Sequence, residues 1–217
     1  MLKNLLKNVV GRRESPLADA GAAAPCVLNV GGGNKQIALP PTFVGWNHLL
    51  LDIAPGPDVD VALDARRLAT LDAAQFDAIY CSHNLEHYYR HDCETVLAGF
   101  MHVLRPEGFA DIRVPDMSAV LRSAVERRLD IDDALYIADA GPISVHDVIY
   151  GWGAQIERSG VDFYAHKRGF TVKSLSAALE RAGFARVFTA VLQEKFEIRA
   201  LAFKAEPSDA QKAVFGL

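Results

Sequence analysis

The chain has 217 residues, of which 50% are hydrophobic and 23% are charged. These proportions exclude a disordered, collagen-like or coiled-coil chain and predict one sizeable globular core. There are 23 lysines and arginines against 27 acidic residues, so the formal net charge is −4. This charge does not indicate nucleic acid as a partner. No apolar run approaches the roughly 20 residues that a membrane-spanning helix needs.

Cysteine usage argues against a disulfide framework or a zinc site. The three cysteines, Cys26, Cys81 and Cys93, are odd in number and never occur at C-x-x-C spacing. A reducing compartment fits this pattern better, so we expect a cytoplasmic protein. The sequence predicts no metal ligands.

The N-terminus predicts a short amphipathic helix followed by a linker, over residues 1–25. Apolar residues recur at helical spacing, while Lys3 and Lys7 interrupt what would be a signal-peptide core. The helix is expected to pack on its own domain or on a partner subunit. Weak contact of residues 1–13 with a membrane surface is the alternative. The linker is alanine-rich and covers residues 14–25.

Five short buried strands are predicted in the first half of the chain. They cover residues 26–30, 48–53, 59–63, 76–81 and 109–114. A helix is predicted over 91–104, ended by a turn at 105–108 that contains Pro106 and Gly108.

The second half begins with a region of different character. A helix is predicted near 117–125 and another over 131–139, followed by an irregular stretch at 141–169. Thr171 is a suitable N-cap for a last helix, which Gly183 would end. Two strands near 185–192 and 195–204 are predicted to form a hairpin.

Strands that alternate with helices predict an α/β fold. We expect a doubly wound, Rossmann-like, seven-stranded and mainly parallel sheet, with an antiparallel terminal hairpin. One domain would cover residues 26–204, with a helical and loop insert at about 116–169 before the last helix. Residues 205–217 would form a C-terminal tail. Ligands of such sheets bind at the carboxyl ends of the strands, so residues that follow strands are the candidates for a site.

Glycines follow the first strand, at Gly31, Gly32 and Gly33. They would let a ligand approach the backbone closely. The G-x-G-x-x-G dinucleotide pattern is incomplete because Gln36 replaces its third glycine. Pro40 and Pro41 also leave room for only a short helix after the loop, which disfavours a pyrophosphate site.

Acidic and polar residues follow the next strands. Asp52 lies 21 residues after Gly31, where an acid can accept hydrogen bonds from ribose hydroxyls. A surface carboxylate is the alternative for Asp52. Asp64 is either a ligand contact or the N-cap of a helix, and the two roles are compatible. The fourth strand ends in a polar cluster, Ser82-His83-Asn84-Leu85-Glu86-His87.

This order of features resembles the class I S-adenosylmethionine (SAM)-dependent methyltransferases, and more narrowly the type 11-like branch of bacterial predicted methyltransferases. The resemblance rests on residues 28–33, 52, 64–65, 76–87 and 104–108, and more moderately on 169–184. Asn29 stands where the family usually has an acid. The resemblance implies SAM as cofactor, with the following contact residues: Asn29, Gly31, Gly32, Gly33, Asp52, Ile53, Asp64, Ala65, Ser82 and His83.

The implied reaction is in-line transfer of a methyl group, which needs a base only when the acceptor must lose a proton. The candidates for that base are His83, His87 and His146, with His166 as a further histidine. A small-molecule acceptor is expected, and family analogy suggests a glycan or lipid-linked precursor. The Asp/Asn-Pro-Pro-Tyr motif of DNA-base methylases does not follow the fourth strand.

Two alternatives stay open from the sequence. The chain could be a non-catalytic binding or assembly protein on the same fold. A nicotinamide-dependent oxidoreductase is disfavoured by Gln36. The N-terminal helix and the terminal strands offer contact surfaces for a homodimer.

Overall fold

The computed structural model describes residues 24–138 and 141–217. The predicted N-terminal helix and most of its linker therefore lie outside the described residues. Within these two ranges, no helix is long and apolar enough to cross a membrane.

The described residues form a seven-stranded sheet of order β3-β2-β1-β4-β5-β9-β8 and a separate two-stranded sheet, β6-β7. Strands β1 to β5 are parallel, and β9 is antiparallel to both of its neighbours. The predicted fold class is thereby confirmed. The strands are β1 Cys26–Val30, β2 Asn47–Asp52, β3 Val61–Ala62, β4 Phe76–Ser82, β5 Leu104–Pro115, β6 Ala134–Ala138, β7 Gly141–Ser144, β8 Arg186–Leu192 and β9 Glu197–Phe203.

Six α-helices occur in the described residues. They are α1 Arg90–Val103, α2 Met117–Arg127, α3 Val145–Tyr150, α4 Gly153–Ser159, α5 Val172–Arg181 and α6 Asp209–Phe215. Short 3-10 turns cover Pro41–Phe43, Ala65–Thr70, Leu85–His87, Asp162–Tyr164 and Gln193–Lys195. Thr171 caps α5 as predicted, since its hydroxyl accepts a hydrogen bond from the Ser174 N–H.

The core lies on both faces of the parallel strands. All five residues of β1 are buried, as expected for a strand covered on both sides. Helix α1 buries Val96, Leu97 and Phe100 against the sheet. A Cβ on Gly99 would lie 2.7 Å from the Leu68 Cβ, so this glycine lets α1 approach the Ala65–Thr70 turn closely.

The predicted turn at 105–108 is wrong in one respect. Leu104 already pairs with Phe76 in the sheet, while Phe109 pairs with Ala78. Residues 105–108 therefore form a bulge inside β5 instead of a loop before it. Gly108 sits there with the Arg105 carbonyl 3.0 Å from the position of a Cβ.

The predicted helix over 131–139 is also wrong. Residues 134–138 form β6, which pairs with β7 in an antiparallel hairpin. The pairing between the two strands shifts in register between Ala134 and Tyr136, and Leu135 is buried there whereas Ile137 is 74% exposed. The Arg127 guanidinium donates a hydrogen bond of 2.6 Å to the Leu135 carbonyl and ties the hairpin to α2.

The stretch 141–169 is more regular than predicted. Ser144 and Asp147 form a capping box that begins α3. Val120, Leu135, Val145 and Val148 make a small core of their own. The C-terminal tail also contains a helix, α6, whose Phe215 ring lies 5.0 Å from the Phe109 ring.

A buried ion pair joins β5 to β9. Arg199 donates hydrogen bonds of 2.9 and 2.7 Å to the two carboxylate oxygens of Asp111. Asp111 is fully buried, at 0% exposure. Replacing one partner of such a pair leaves a charge without compensation.

Asp111→Ala is therefore expected to lower the free energy of unfolding by about 3 kcal/mol, measured by urea denaturation. Arg186→Ala is the matched control, because Arg186 pairs with Glu206 at an exposed site. Its expected cost is below about 1 kcal/mol. Equal effects of the two substitutions would contradict this view of the Asp111 pair.

Candidate active site

A cavity of about 460 Å³ opens at the carboxyl ends of β1, β2 and β4. Residues that follow these strands converge there because parallel strands end at one edge of the sheet. The predicted residues that line the cavity are Gly31, Gly33, Asp52, Ile53, Asp64, Ala65, His83 and His87.

The glycine loop has little room for side chains. A Cβ on Gly31 would lie 2.0 Å from the Asn84 Nδ2, and Gly31 also has a φ of +74°. A Cβ on Gly32 would lie 2.2 Å from the Asn29 Nδ2. Gly33 has a φ of +69°, but no described atom lies within 4 Å of its Cβ position. Close packing therefore requires glycine at 31 and 32, whereas backbone conformation favours it at 33.

Asn29 lies behind this loop and not in the cavity. It is 3% exposed, and its Nδ2 is 3.3 Å from the His48 Nε2. The buried amide packs under Gly32. Its place in the structure is that of a support for the loop, while the predicted direct contact with a cofactor stays untested.

Asp52 is held in place by the backbone around it. Its Oδ2 accepts a hydrogen bond of 3.2 Å from the Gly33 N–H. Its Oδ1 accepts one of 3.0 Å from the Ala54 N–H. The carboxylate therefore joins the glycine loop to the end of β2 at the wall of the cavity.

Asp64 acts as an N-cap, one of its two predicted roles. Its carboxylate accepts a hydrogen bond from the Arg66 N–H and begins the Ala65–Thr70 turn. The Arg66 guanidinium lies 2.6 Å from the same carboxylate and 3.4 Å from that of Asp92. Burial raises the pKa of Asp64, but the hydrogen bonds from Arg66 outweigh it and lower the pKa.

His83 stands at the end of β4 in a left-handed conformation, with φ +49°. That conformation costs a non-glycine residue energy. Its Nε2 lies 2.8 Å from Glu197, and its Nδ1 lies 3.4 Å from Glu86. Burial lowers the pKa of His83, but its hydrogen bond to Glu197 and its ion-pair contact with Glu86 raise it to about 10. This environment favours the protonated imidazolium form of His83, whereas a general base must be the neutral imidazole.

Glu86, His87 and His166 meet beside the cavity, although His166 is far away in the sequence. The Glu86 backbone carbonyl accepts hydrogen bonds from Lys167 and Arg168, which brings His166 alongside. The rings of His87 and His166 lie 5.0 Å apart. Burial lowers the pKa of His166. Burial raises the pKa of Glu86, but contact with His83 outweighs it and lowers the pKa.

A second cavity, of about 220 Å³, adjoins the first, and His83 lines both. The insert supplies most of its walls. They are formed by Pro115, Tyr136, Ile143, Asp147, Val148, Trp152, His166, Lys195 and Phe196, together with His83. Its surface is mainly apolar and aromatic.

Besides Asn29 and Gly32, two predicted site residues, His146 and Ser82, do not line either cavity. His146 packs its ring 5.0 Å from that of Tyr150. Ser82 is the last residue of β4. Their predicted roles are untested, but the structure does not bring them together with the other candidates.

The sequence analysis missed several residues of the larger cavity. Tyr88, Tyr89, Phe163, Tyr164 and Lys167 line it. Lys167 and Arg168 are both partly buried and pack against aromatic rings. Lys167 Nζ lies 5.6 Å from the centre of the Tyr89 ring, and the Arg168 guanidinium lies 4.5 Å from that of Phe170. The sequence signal for this packing is that the basic pair is flanked by aromatic residues, Phe163 and Tyr164 before it and Phe170 after it.

Comparison with known proteins supports the interpretation of the fold. Residues 28–111 match the family model described as a methyltransferase domain. No curated protein matches the sequence.

Three solved structures with the same fold are described as methyltransferases. The 1,6-didemethyltoxoflavin-N1-methyltransferase of Burkholderia thailandensis has 20% identity and a TM-score of 0.51, over 94% of this chain and 77% of its own. A SAM-dependent methyltransferase from Archaeoglobus fulgidus has 14% identity and a TM-score of 0.52, over 83% and 86%. One from Methanosarcina mazei has 14% identity and a TM-score of 0.50, over 84% and 93%.

Residues 28–111, less than half of the chain, are thus similar to a methyltransferase domain. The sheet order shows the fold that the SAM-dependent methyltransferases above share.

The crowding at Gly31 leads to a test. Gly31→Ala is expected to weaken SAM binding at least about tenfold, because the new Cβ would collide with Asn84. Isothermal titration calorimetry measures the affinity, and thermal unfolding confirms that the variant folds. Gly33→Ala is the matched control, with a similar φ but open space, and should lose less affinity. A larger loss at Gly33 than at Gly31 would show that steric crowding is not the controlling factor.

Proposed function

We propose that this chain transfers a methyl group from SAM to a small, mainly apolar acceptor. The observation that carries this proposal is the pair of adjoining cavities that share His83. The larger cavity would hold SAM, and the smaller one would hold the acceptor.

The residues of the larger cavity fit SAM. Its volume of about 460 Å³ lies within the range of small-molecule sites, roughly 300–1,000 Å³. The Asp52 carboxylate would accept hydrogen bonds from the ribose hydroxyls. Gly31 and Gly33 would let the backbone approach the amino-acid part, and Ile53 and Leu63 offer apolar contacts for the adenine.

When bound, SAM supplies an activated methyl group, so this chain's residues need mainly to position the acceptor and to exclude water. Residues 162–164 and Lys167 cover one side of the larger cavity. A role for His83, His87 or His146 as a base remains a prediction. The ion pairs of His83 do not favour it, and His146 lines neither cavity.

The second cavity favours a compact and flat acceptor. Tyr136, Trp152 and Phe196 provide aromatic surface, and Ile143 and Val148 provide aliphatic surface. The Burkholderia enzyme with the same fold holds 1,6-didemethyltoxoflavin and S-adenosylhomocysteine, which supports a small acceptor here. Such walls favour this acceptor over the glycan or lipid-linked precursor suggested by family analogy.

Asp52→Ala is expected to weaken SAM binding more than tenfold, because the hydrogen bonds to the ribose would be lost. Parallel titrations of the purified chain with SAM, S-adenosylhomocysteine and NADH measure this effect. Asp58→Ala is the control, since Asp58 only accepts a hydrogen bond from the Lys35 N–H nearby and does not line the cavity. Unchanged affinity in Asp52→Ala would remove Asp52 from the site.

The same titrations test the function itself. Micromolar binding of SAM and S-adenosylhomocysteine without binding of NADH would support methyl transfer. Binding of NADH instead would favour an oxidoreductase. If none of the three binds, the proposal fails, and the non-catalytic alternative is favoured.

Trp152→Ala tests the acceptor cavity. Loss of an aromatic wall, worth about 1 kcal/mol, should raise the KM for an acceptor about fivefold and leave SAM affinity unchanged. Tyr150→Ala is the control, because Tyr150 lies on the same segment but lines neither cavity. Small aromatic acceptors are screened first with radiolabelled SAM. Equal KM values in both variants would place the acceptor elsewhere.

A further inference from the structure

We propose that Glu86, His87 and His166 bind one divalent transition-metal ion of the Zn²⁺ type. The sequence predicts no metal site, because His87 and His166 are far apart along the chain and no cysteine lies at metal-ligand spacing from either of them. In the fold, one donor atom from each residue lies within 4.8 Å of the others. Small side-chain rotations would close this spacing to that of metal ligands.

The buried carboxylate of Glu86 is the first reason. Glu86 is 1% exposed, and neither of its carboxylate oxygens has a hydrogen-bond partner among the described residues. The His83 Nδ1 approaches one of them at 3.4 Å, which is an ion-pair contact. The other oxygen is left without a donor. Buried carboxylates without donors are costly, and coordination of a cation is one way to stabilise them.

The two histidines are oriented as metal ligands usually are. The His87 Nδ1 lies 3.2 Å from the Ala165 carbonyl, and the His166 Nδ1 lies 2.8 Å from the Val148 carbonyl. A carbonyl can only accept, so each Nδ1 carries the proton. In the neutral rings, each Nε2 then has a free lone pair. Such carbonyl contacts set the tautomer and the ring orientation of metal-bound histidines.

Each of the three residues can therefore offer one electron-pair donor to a common cation. Two imidazoles and one carboxylate suit Zn²⁺ and other first-row transition metals better than Mg²⁺ or Ca²⁺, which prefer oxygen ligands. Three protein ligands also leave a coordination position open, as in catalytic zinc sites.

The position of the metal site between the two cavities suggests which ligand would occupy the open coordination position of the ion. His87 lines the larger cavity and His166 lines the smaller one. This step rests on the proposed function: an acceptor with an oxygen or nitrogen donor would coordinate the metal and be held at the junction of the two cavities. The metal site itself does not depend on methyl transfer.

The experiment uses the untagged full-length chain, stripped with EDTA and then titrated with Zn²⁺ and, separately, Co²⁺. We expect about one ion per chain, a higher melting temperature with Zn²⁺, and visible absorption bands of protein-bound Co²⁺. Mg²⁺ at the same concentration should have a smaller effect. No binding of Zn²⁺ or Co²⁺ above that of a control protein would overturn the proposal.

Variants locate the ion. His166→Ala and His87→Ala should each weaken Zn²⁺ binding at least about tenfold and lose the Co²⁺ bands. His91→Ala is the control, since His91 is exposed on α1 and should bind Zn²⁺ as the unaltered chain does. Glu86→Gln should also weaken Zn²⁺ binding, and it is compared only if its thermal unfolding remains cooperative. If it does not fold, the two histidine variants alone test the site. Unchanged Zn²⁺ affinity in both histidine variants would also overturn the proposal.

SAM titration of the same samples separates this inference from the proposed function. Zn²⁺ binding without SAM binding would support the metal site and reject methyl transfer. SAM binding without Zn²⁺ binding would support methyl transfer and reject the metal site.

Discussion

The arrangement of both cavities depends on a short junction between the end of β4 and the end of the insert. The Glu86 carbonyl accepts hydrogen bonds from Lys167 and Arg168, and the Met117 N–H donates to the Phe170 carbonyl. A Cβ on Gly169 would lie 2.6 Å from the Met117 Cγ, so the two ends of the insert meet at very close range. Between these ends, the insert supplies walls to both cavities. The insert therefore forms part of the walls of both cavities.

Side chains that follow one another at the end of β4 contact different parts of the structure. His83 pairs with Glu197 on β9, while Asn84 lies against the glycine loop. Glu86 and His87 turn towards the insert. The left-handed conformation of His83 makes this change of direction possible, and the surrounding ion pairs offset its cost. Strain of this kind is common where a fold positions functional groups.

The parallel strands were predicted well because they are short apolar runs bounded by turn residues, a signal that burial on both faces imposes. The prediction failed where two structures fit one pattern. Residues 134–138 contain alanine and leucine, which suit a helix, but pairing with 141–144 makes them a strand. Residues 105–108 contain proline and glycine, which suit a turn, but pairing of Leu104 with Phe76 extends β5 past them. In both cases a distant partner decided the local structure.

The sequence by itself determined the sheet, the glycine loop and the acids that follow β2 and β3. These features depend on neighbours in the chain and on the rule that parallel strands end at one edge. Tertiary structure alone decided that His166 joins Glu86 and His87, that Lys167 faces the larger cavity, and that the insert forms a second cavity. Those contacts join residues far apart along the chain, and no local periodicity encodes them. They arise only when the insert folds back and the Glu86 carbonyl pairs with the backbone that follows His166.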